Sequence, residues 1–549
     1  MQYRTGIISV ALLFLSGAQA QSGGPHGGVP FPKLGYNHQP VDQDDDAIAE
    51  NFPDVDIELL SPAFLKPDSR LEGFDNGTSN PTSHRDMDYF LQDLAERNDW
   101  MTYEIPDFLS EEGRTLPFLF LSNPSRTSNT TKLRVYIQGA IHGNEPSADQ
   151  GIMSLLGKMS ANTTWTSNLL DRMDILVLTR YNADGVFYFQ RELASNIDPN
   201  REHTKLVKEQ SRNIKRRVSA WQPHVVLDVH EFAAHNVFGG VYRHGLDVMI
   251  ATGGDLNTHK DIRNMSEKLF VPAMEDLLES RGIRAGPYVL GATSDEVGSP
   301  ILFEESITSP ASGTNAAGLA QAVSILLETR GQFLASQHYQ RRVASQLTMM
   351  EAILNTAYEN ADMIEETITS AIEEFIESDE DIVLSDTPIA TNRTFPMVDI
   401  RNGTLEEVEV GFLSTTPTKA NATRSRPEAY IIPRNWFDLA EKLRIMGVEV
   451  EEIPYEYTGT VTAYNITTSR LDTALYEGTV RNYVTTEPVE REVRLRPGSF
   501  RVSTRQKNAA YAFVTLEPES PVSYVTFGFF PLSTGYEYPI FREERETDD

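Results

Sequence analysis

The sequence predicts an α/β protein with a mixed, mostly parallel sheet flanked by helices, followed by a C-terminal, mainly β domain. Up to about Gly331, continuous apolar runs of strand length alternate with amphipathic helical stretches, which is typical of buried parallel strands between helices. After residue 380 the pattern changes to alternating strands, such as "TVTAYNITT" and "VSYVTFGFFPL". Because 549 residues exceed what one hydrophobic core holds, we expect two or more domains.

The first twenty residues have the pattern of a secretory signal peptide. Arg4 precedes the apolar core "IISVALLFL", and Ala18-Gln19-Ala20 has the small residues of a cleavage site. The apolar run is too short to cross a bilayer, and no later segment is long and apolar enough. We therefore expect a secreted, extracellular protein, with neither a membrane nor a nucleic acid as partner.

Composition limits the possible catalytic chemistry and supports secretion. The chain has no cysteine, which excludes disulfides, thiolate nucleophiles and cysteine-based metal sites. Its formal charge of −31 argues against binding a nucleic-acid backbone. Asn-x-Ser/Thr sequons indicate a glycoprotein, and they lie at Asn76, Asn129, Asn162, Asn264, Asn392, Asn402, Asn421 and Asn465.

Between the predicted signal and the C-terminal region we distinguish three segments. Residues 21–82 are rich in Gly, Pro and Asp and are expected to be a loosely structured lead-in. A catalytic domain is predicted over 83–335, beginning with a helix near Ser83 and including the strands "LRVYIQGAI", "MDILVLTRYN", "HVVLDVH" and "AVSILLETR". A helical connector follows over 336–379, and the β-rich accessory domain occupies 380–549.

Polar residues that can bind a metal stand at the ends of three predicted strands. His142 and Glu145 follow the first, His230 ends another, and Glu328 ends the last. Ligands of open α/β sheets bind beyond the carboxyl ends of the strands. Two histidines and one glutamate form a three-ligand catalytic zinc site with an open fourth position. Individually, His230 would equally suit a hydrogen bond to Asp228, and Glu328 a pair with Arg330.

In order, these motifs resemble the zinc metallocarboxypeptidase family of the carboxypeptidase A/B type over residues 83–331. His142-Gly-Asn-Glu145 matches its His-x-x-Glu motif, and Asn182 to Gly185 match its Asn-Pro-Asp-Gly turn, with Ala183 in place of proline. Its remaining motif residues correspond to Arg191, Asn200, Arg201, His230 and Glu328. The resemblance implies a carboxypeptidase fold for the catalytic domain.

The resemblance also implies a role for each residue. His142, Glu145 and His230 would bind one Zn²⁺, which activates water and polarises the scissile carbonyl. Glu328 would act as general base, and Arg191 would stabilise the oxyanion. Asn200 and Arg201 would bind the terminal carboxylate of a peptide or protein substrate with a free C-terminus.

Other features leave alternatives open. The family places a tyrosine between the third ligand and the catalytic glutamate, but "TSPASGTNAAGLAQAVSILLE" has none, and neither Tyr242 nor Tyr288 is assigned. Glu304 and Glu305 form a rival pair to Glu328. The alternative functions are a zinc amidohydrolase acting on acyl-amino acids or cell-wall peptides, and a non-catalytic binding module. Oligomeric state and the preferred C-terminal residue are not predicted.

Overall fold

An eight-stranded mixed sheet lies at the centre of the region predicted to be catalytic. The computed structural model describes residues 41–124, 132–306 and 308–545, so the predicted signal peptide lies outside the described residues. The sheet has the order β1-β2-β4-β3-β5-β11-β7-β8. Its strands are β1 (Met101–Glu104), β2 (Phe118–Leu121), β3 (Leu133–Gly139), β4 (Met173–Leu178), β5 (Val225–Ala233), β7 (Val248–Thr252), β8 (Ala285–Pro287) and β11 (Val323–Gln332).

The four central strands β4, β3, β5 and β11 are parallel, while the pairs β1–β2, β2–β4 and β11–β7 are antiparallel. Side chains on both faces of these strands are buried, which explains their continuous apolar runs. Val135 and Ile137 pack into the large core on one face, whereas Tyr136 packs into a smaller core on the other. The predicted fold class is confirmed here.

Helices cover the sheet and connect its strands. The N-terminal cap of the predicted first helix is Ser83, whose hydroxyl accepts a hydrogen bond from the Asp86 amide, and Met87, Leu91 and Leu94 are buried. The predicted helical segment at 336–379 is two helices that meet at Asn360. The helices are α1 (Asp46–Ala49), α2 (Pro62–Leu65), α3 (His84–Arg97), α4 (Pro146–Ala161), α5 (Thr163–Arg172), α6 (Ala183–Tyr188), α7 (Glu209–Trp221), α8 (Lys260–Met265), α9 (Val271–Ser280), α10 (Gly313–Gly318), α11 (Tyr339–Glu359), α12 (Ala361–Glu377), α13 (Phe437–Ile445) and α14 (Ala509–Leu516).

Two further sheets lie outside the central one. A five-stranded sheet consists of β6 (Tyr242–His244), β9 (Val289–Gly291), β10 (Leu302–Glu305), β12 (Ile382–Asp399) and β13 (Leu405–Arg424). A six-stranded sheet consists of β14 (Ala429–Ile432), β15 (Glu451–Ile453), β16 (Tyr457–Tyr476), β17 (Thr479–Leu495), β18 (Ser499–Ser503) and β19 (Glu537–Glu543). The first of them joins strands from both sides of residue 380, so the predicted boundary runs through a sheet.

Three details differ from the expected elements or extend them. The stretch "VSYVTFGFFPL" forms turns rather than a strand, since Gly528 has a positive φ of 73° and the aromatic side chains pack into a core from successive turns. In the expected loose lead-in, Phe52 and Phe74 are buried. Helix α11 packs into the same core as the central sheet.

The division of the chain into domains stays a prediction. Within the described residues, no helix is long and apolar enough to span a bilayer.

Candidate metal centre

The predicted site residues meet at the carboxyl ends of neighbouring parallel strands. His142 and Glu145 lie in the turn between β3 and α4, His230 lies in β5, and Glu328 lies in β11. His230 and Glu328 are directly paired across β5 and β11, so their side chains leave the sheet on the same face. All four residues are buried.

The donor atoms of three side chains converge at this point. His142 Nδ1 lies 2.8 Å from Glu145 Oε1 and 3.1 Å from His230 Nδ1, and His230 Nδ1 lies 3.1 Å from Glu145 Oε2. Ligands of a tetrahedral zinc ion, at bond lengths of about 2.0–2.1 Å, lie roughly 3.3 Å apart. The spacing of these three side chains therefore fits one zinc ion.

The outer nitrogens of both imidazoles face carboxylates. His142 Nε2 lies 3.1 Å from Asp198 Oδ1, and His230 Nε2 lies 3.1 Å from Asp228 Oδ1. The hydrogen bond with Asp198 assigns the ring proton of His142 to Nε2, and the negative charge of Asp228 favours the same proton position in His230, so both Nδ1 lone pairs are directed at the shared centre. Two lone pairs 3.1 Å apart repel unless a cation lies between them. The hydrogen bonding around the site thus agrees with the donor spacing.

Further side chains fix the ligand turn. Gln332 Nε2 donates to Glu145 Oε1 (2.9 Å), and Asn80 Nδ2 donates to the carbonyl oxygens of Gly143 (3.0 Å) and Val186 (2.7 Å). Gly143 lies against the backbone of Gly185, so closely that an added Cβ would be 1.9 Å from the Gly185 carbonyl carbon. The His-x-x-Glu turn therefore packs directly on the Asn182 to Gly185 turn.

Arg191, with its predicted catalytic role, and the predicted substrate-binding residues Asn200 and Arg201 are held by nearby partners. Arg191 Nη1 lies 3.1 Å from His142 Nδ1, and its Nη2 donates to Asp198 Oδ2 at 2.9 Å. Asn200 Oδ1 accepts a hydrogen bond from the Gly313 amide (2.7 Å), while Arg201 Nη1 donates to the Asn200 carbonyl oxygen (2.7 Å). The guanidinium of Arg191 is thus held beside the metal ligands.

Glu328 is buried beside the candidate ligands. Among the residues that the structure describes, no hydrogen-bond partner contacts its buried Oε2 atom. Burial, together with the negative charges of Glu145 and Asp228, raises the pKa of Glu328 to about 8, against the opposing charges of His230 and Arg191. Tyr288, which follows β8, has Glu328, Arg191 and Arg201 among its electrostatic neighbours. Of the two unassigned tyrosines, Tyr288 is therefore the one beside the site, whereas the Tyr242 hydroxyl donates to Glu406.

The competing interpretations find other partners. Arg330 pairs with Asp44, at 2.5 Å and 2.8 Å, and not with Glu328. Glu305 accepts hydrogen bonds from the backbone amides of Thr415 and Thr416. The remaining carboxylate next to the site, Glu231, points to the opposite face and pairs with Arg342 at 2.8 Å.

Several residues of the site were missed by the sequence reasoning. Asp198 was visible, since it precedes the Asn200-Arg201 pair by two residues, but its contact with His142 joins positions 56 residues apart. Gln332 and Asn80 carried no signal, because neither belongs to a ligand motif. Asn80 also falls in the segment expected to be loosely structured.

Comparison with known proteins agrees with this geometry. The family model described as zinc carboxypeptidase matches residues 87–225. "Carboxypeptidase 2" of Trichophyton tonsurans is 45% identical over 521 residues, covering 93% of this chain and 96% of its own length. The corresponding protein of Trichophyton rubrum is 44% identical over 517 residues, with the same coverage. The chain belongs to the zinc carboxypeptidase family.

As a zinc carboxypeptidase, the protein is a hydrolase acting on peptide bonds, and the His142, Glu145 and His230 site is consistent with one zinc ion. Among solved structures, a metallo-carboxypeptidase from Burkholderia cenocepacia is 16% identical, with a TM-score of 0.39, over 50% of this chain and 70% of its own.

Proposed function

We propose that this protein is a secreted, zinc-dependent exopeptidase that removes residues from the C-terminus of peptides or proteins. The observation that carries the proposal is the convergence of the His142, Glu145 and His230 donor atoms beside Glu328. A zinc ion held by these three side chains would lower the pKa of a water molecule and polarise the scissile carbonyl. The protein side chains supply the remaining steps.

In this mechanism Glu328 is the general base. It removes the proton from the attacking water and passes it to the leaving amine. In the described part of the chain, its Oε2 atom has no hydrogen-bond partner that would have to be displaced before water binds. Arg191, held by Asp198, stabilises the negative charge that develops on the carbonyl oxygen.

The preference for a free C-terminus would come from Arg201 and Asn200. A guanidinium forms a bidentate pair with a carboxylate. Gly313 donates its amide to Asn200, and this bond fixes the Asn200 side chain next to Arg201 in the sequence. An amidated C-terminus lacks the charge that Arg201 would bind, so amidated peptides are expected to be poor substrates.

Secretion is part of the same proposal. The predicted signal at residues 1–20 supports it, and so does the exposure of the seven sequon asparagines that the structure describes, Asn129 lying outside the described residues. Removal of N-glycans from protein collected in the culture medium should reduce its mass by several glycans, whereas protein retained in the cells would contradict secretion.

The test compares one peptide series as free acids and as C-terminal amides, with products followed by mass spectrometry. We expect stepwise shortening of the free acids alone, abolished by a chelator and restored by zinc. Glu328→Gln should lower kcat by about 10²- to 10⁴-fold, the usual contribution of a general base, while Glu304→Gln should match the wild type. If acyl-amino acids are cleaved and free-acid peptides are not, the protein is an amidohydrolase instead.

A further inference from the structure

A hairpin of the C-terminal β-rich region reaches the loop that carries the proposed substrate clamp. Strands β16 and β17 are joined by a two-residue turn, Glu477-Gly478, and both residues have positive φ, 46° and 78°. This geometry is typical of tight hairpin turns. A Cβ at Gly478 would lie 3.1 Å from Cδ1 of Ile197, the residue that precedes Asp198. The turn therefore packs closely on this loop.

Two hydrogen bonds hold this turn against the loop. The Asp198 amide donates to Glu477 Oε2 at 2.7 Å, and Lys205 Nζ donates to the Glu477 carbonyl oxygen at 2.9 Å. Lys205 also pairs with Glu202 at 2.7 Å. The side chain of Glu477 therefore binds the beginning of the loop 198–205, while its backbone binds the end.

The loop combines several functions in a few residues. Asp198 contacts both His142 and Arg191, and Asn200 and Arg201 follow directly. A shift of the Asp198 backbone would thus move a ligand-orienting carboxylate and the oxyanion-stabilising guanidinium together.

We propose that Glu477 is a positioning residue for the carboxypeptidase reaction: it fixes Asp198, and through Asp198 it orients His142 and Arg191. The region after residue 380 is then part of the catalytic machinery. This inference rests on the proposed roles of Arg191 and the metal ligands. A carboxylate that accepts an amide hydrogen bond contributes more than a neutral acceptor, but a neutral amide oxygen in the same place retains the bond.

The test uses Glu477→Ala and Glu477→Gln in the full-length protein. Glu490→Ala, at an exposed glutamate of the same hairpin, is the matched control. In all three variants the bond from Lys205 to the backbone of residue 477 persists. For Glu477→Ala we expect kcat on free-acid peptides to fall about tenfold and the zinc dissociation constant to rise about three- to tenfold. Glu477→Gln should stay within about threefold of the wild type in both.

The zinc dissociation constant is measured by competition with a fluorescent chelator, and kcat is expressed per zinc-loaded molecule. Residue 477 has only a structural role if Glu477→Ala changes the melting temperature alone. If Glu477→Gln is as impaired as Glu477→Ala, the hydrogen-bond acceptor at residue 477 does not position Asp198, and the inference fails. If the wild-type protein leaves free-acid peptides intact, the proposed function is wrong. The zinc dissociation constants of the variants would still test the role of Glu477.

Discussion

Two carboxylates orient the histidines of the candidate zinc site. Asp198 and Asp228 each face the outer nitrogen of one histidine, and each is itself fixed, Asp198 by Arg191 and Asp228 by Gln138 and Thr314. Such partners fix the ring orientation and raise the basicity of the ligand. The two histidines therefore depend on carboxylates outside the candidate ligand set.

Replacing Asp228 with asparagine tests this dependence. We expect Asp228→Asn to raise the zinc dissociation constant about 10- to 100-fold, because a neutral amide orients His230 less strongly and does not raise its basicity. Competition with a chelator of known zinc affinity measures the change. Glu304→Gln, the same carboxylate-to-amide change in β10 of the five-stranded sheet, is the control. An unchanged dissociation constant would show that the 3.1 Å contact with His230 Nε2 is incidental.

The buried carboxylate of Asp255 should make the unfolding free energy depend on pH. Burial raises the pKa of Asp255 from 3.8 to about 7, and the charge of Asp386 adds to the increase, whereas hydrogen bonds from Asn257 and the charge of Arg263 oppose it. The folded protein binds the proton more tightly than the unfolded chain between these values. The contribution of Asp255 to the unfolding free energy is therefore complete below about pH 4 and is lost as the pH rises to about 7.

Asp255→Asn should remove this dependence. Relative to the wild type, the variant is expected to gain a few kcal/mol of unfolding free energy between pH 4 and pH 7.5, measured by urea denaturation at both pH values. A constant difference between variant and wild type across this range would contradict the raised pKa.

The segment before the first helix of the catalytic region acts as a structural element of the fold. Asp44 is buried, accepts a bidentate pair from Arg330 at the end of β11, and also pairs with Arg243 at 3.1 Å and with His338 at 3.3 Å. It thereby connects the N-terminal segment to the strand that carries Glu328. The sequence showed only an acidic run, "DQDDDA", because no local pattern distinguishes the one aspartate that is buried.

Removing this carboxylate should be costly. We expect Asp44→Ala to lower the unfolding free energy by about 3–5 kcal/mol, because it leaves the Arg330 guanidinium buried without its partner. Urea denaturation gives the value, with the exposed Asp42→Ala as the matched control. A loss below about 1 kcal/mol, within the range of surface ion pairs, would mean that water replaces the carboxylate.

Strand ends and helix starts were predictable because they depend on neighbours in the sequence. The apolar runs, the Ser83 cap and the residues following each strand therefore identified β3, β5, β11 and the three side chains whose spacing is consistent with one zinc ion. Contacts between distant segments were not predictable. Asn80, Gln332 and Glu477 reach the site through tertiary packing, and "VSYVTFGFFPL" has the composition of a strand although it folds as turns.

One core extends through both halves of the chain. Leu206, Ala316 and Leu319 pack with the buried residues of α13 and α14, and Lys442 donates to the Leu206 carbonyl oxygen at 2.6 Å. The Tyr511 hydroxyl donates to the Ala316 carbonyl oxygen. The C-terminal region therefore completes a hydrophobic core whose other side belongs to the catalytic part.

A chain truncated after residue 379 should consequently fail to fold into an active enzyme. The truncation exposes the side chains of this shared core, so we expect aggregation and rapid digestion by a protease at concentrations that leave the full chain intact. Solubility, limited proteolysis and kcat on a free-acid peptide are the measurements. A soluble fragment with wild-type kcat would show that the core is not shared in solution.

The contact between Gly143 and Gly185 bears on whether the chain folds before it binds zinc. Backbone packs on backbone there, and Asn80 bonds to both turns, so the polypeptide itself fixes where the ligand turn lies. We therefore expect the turn to form without the ion, so that a newly synthesised chain folds before it acquires zinc.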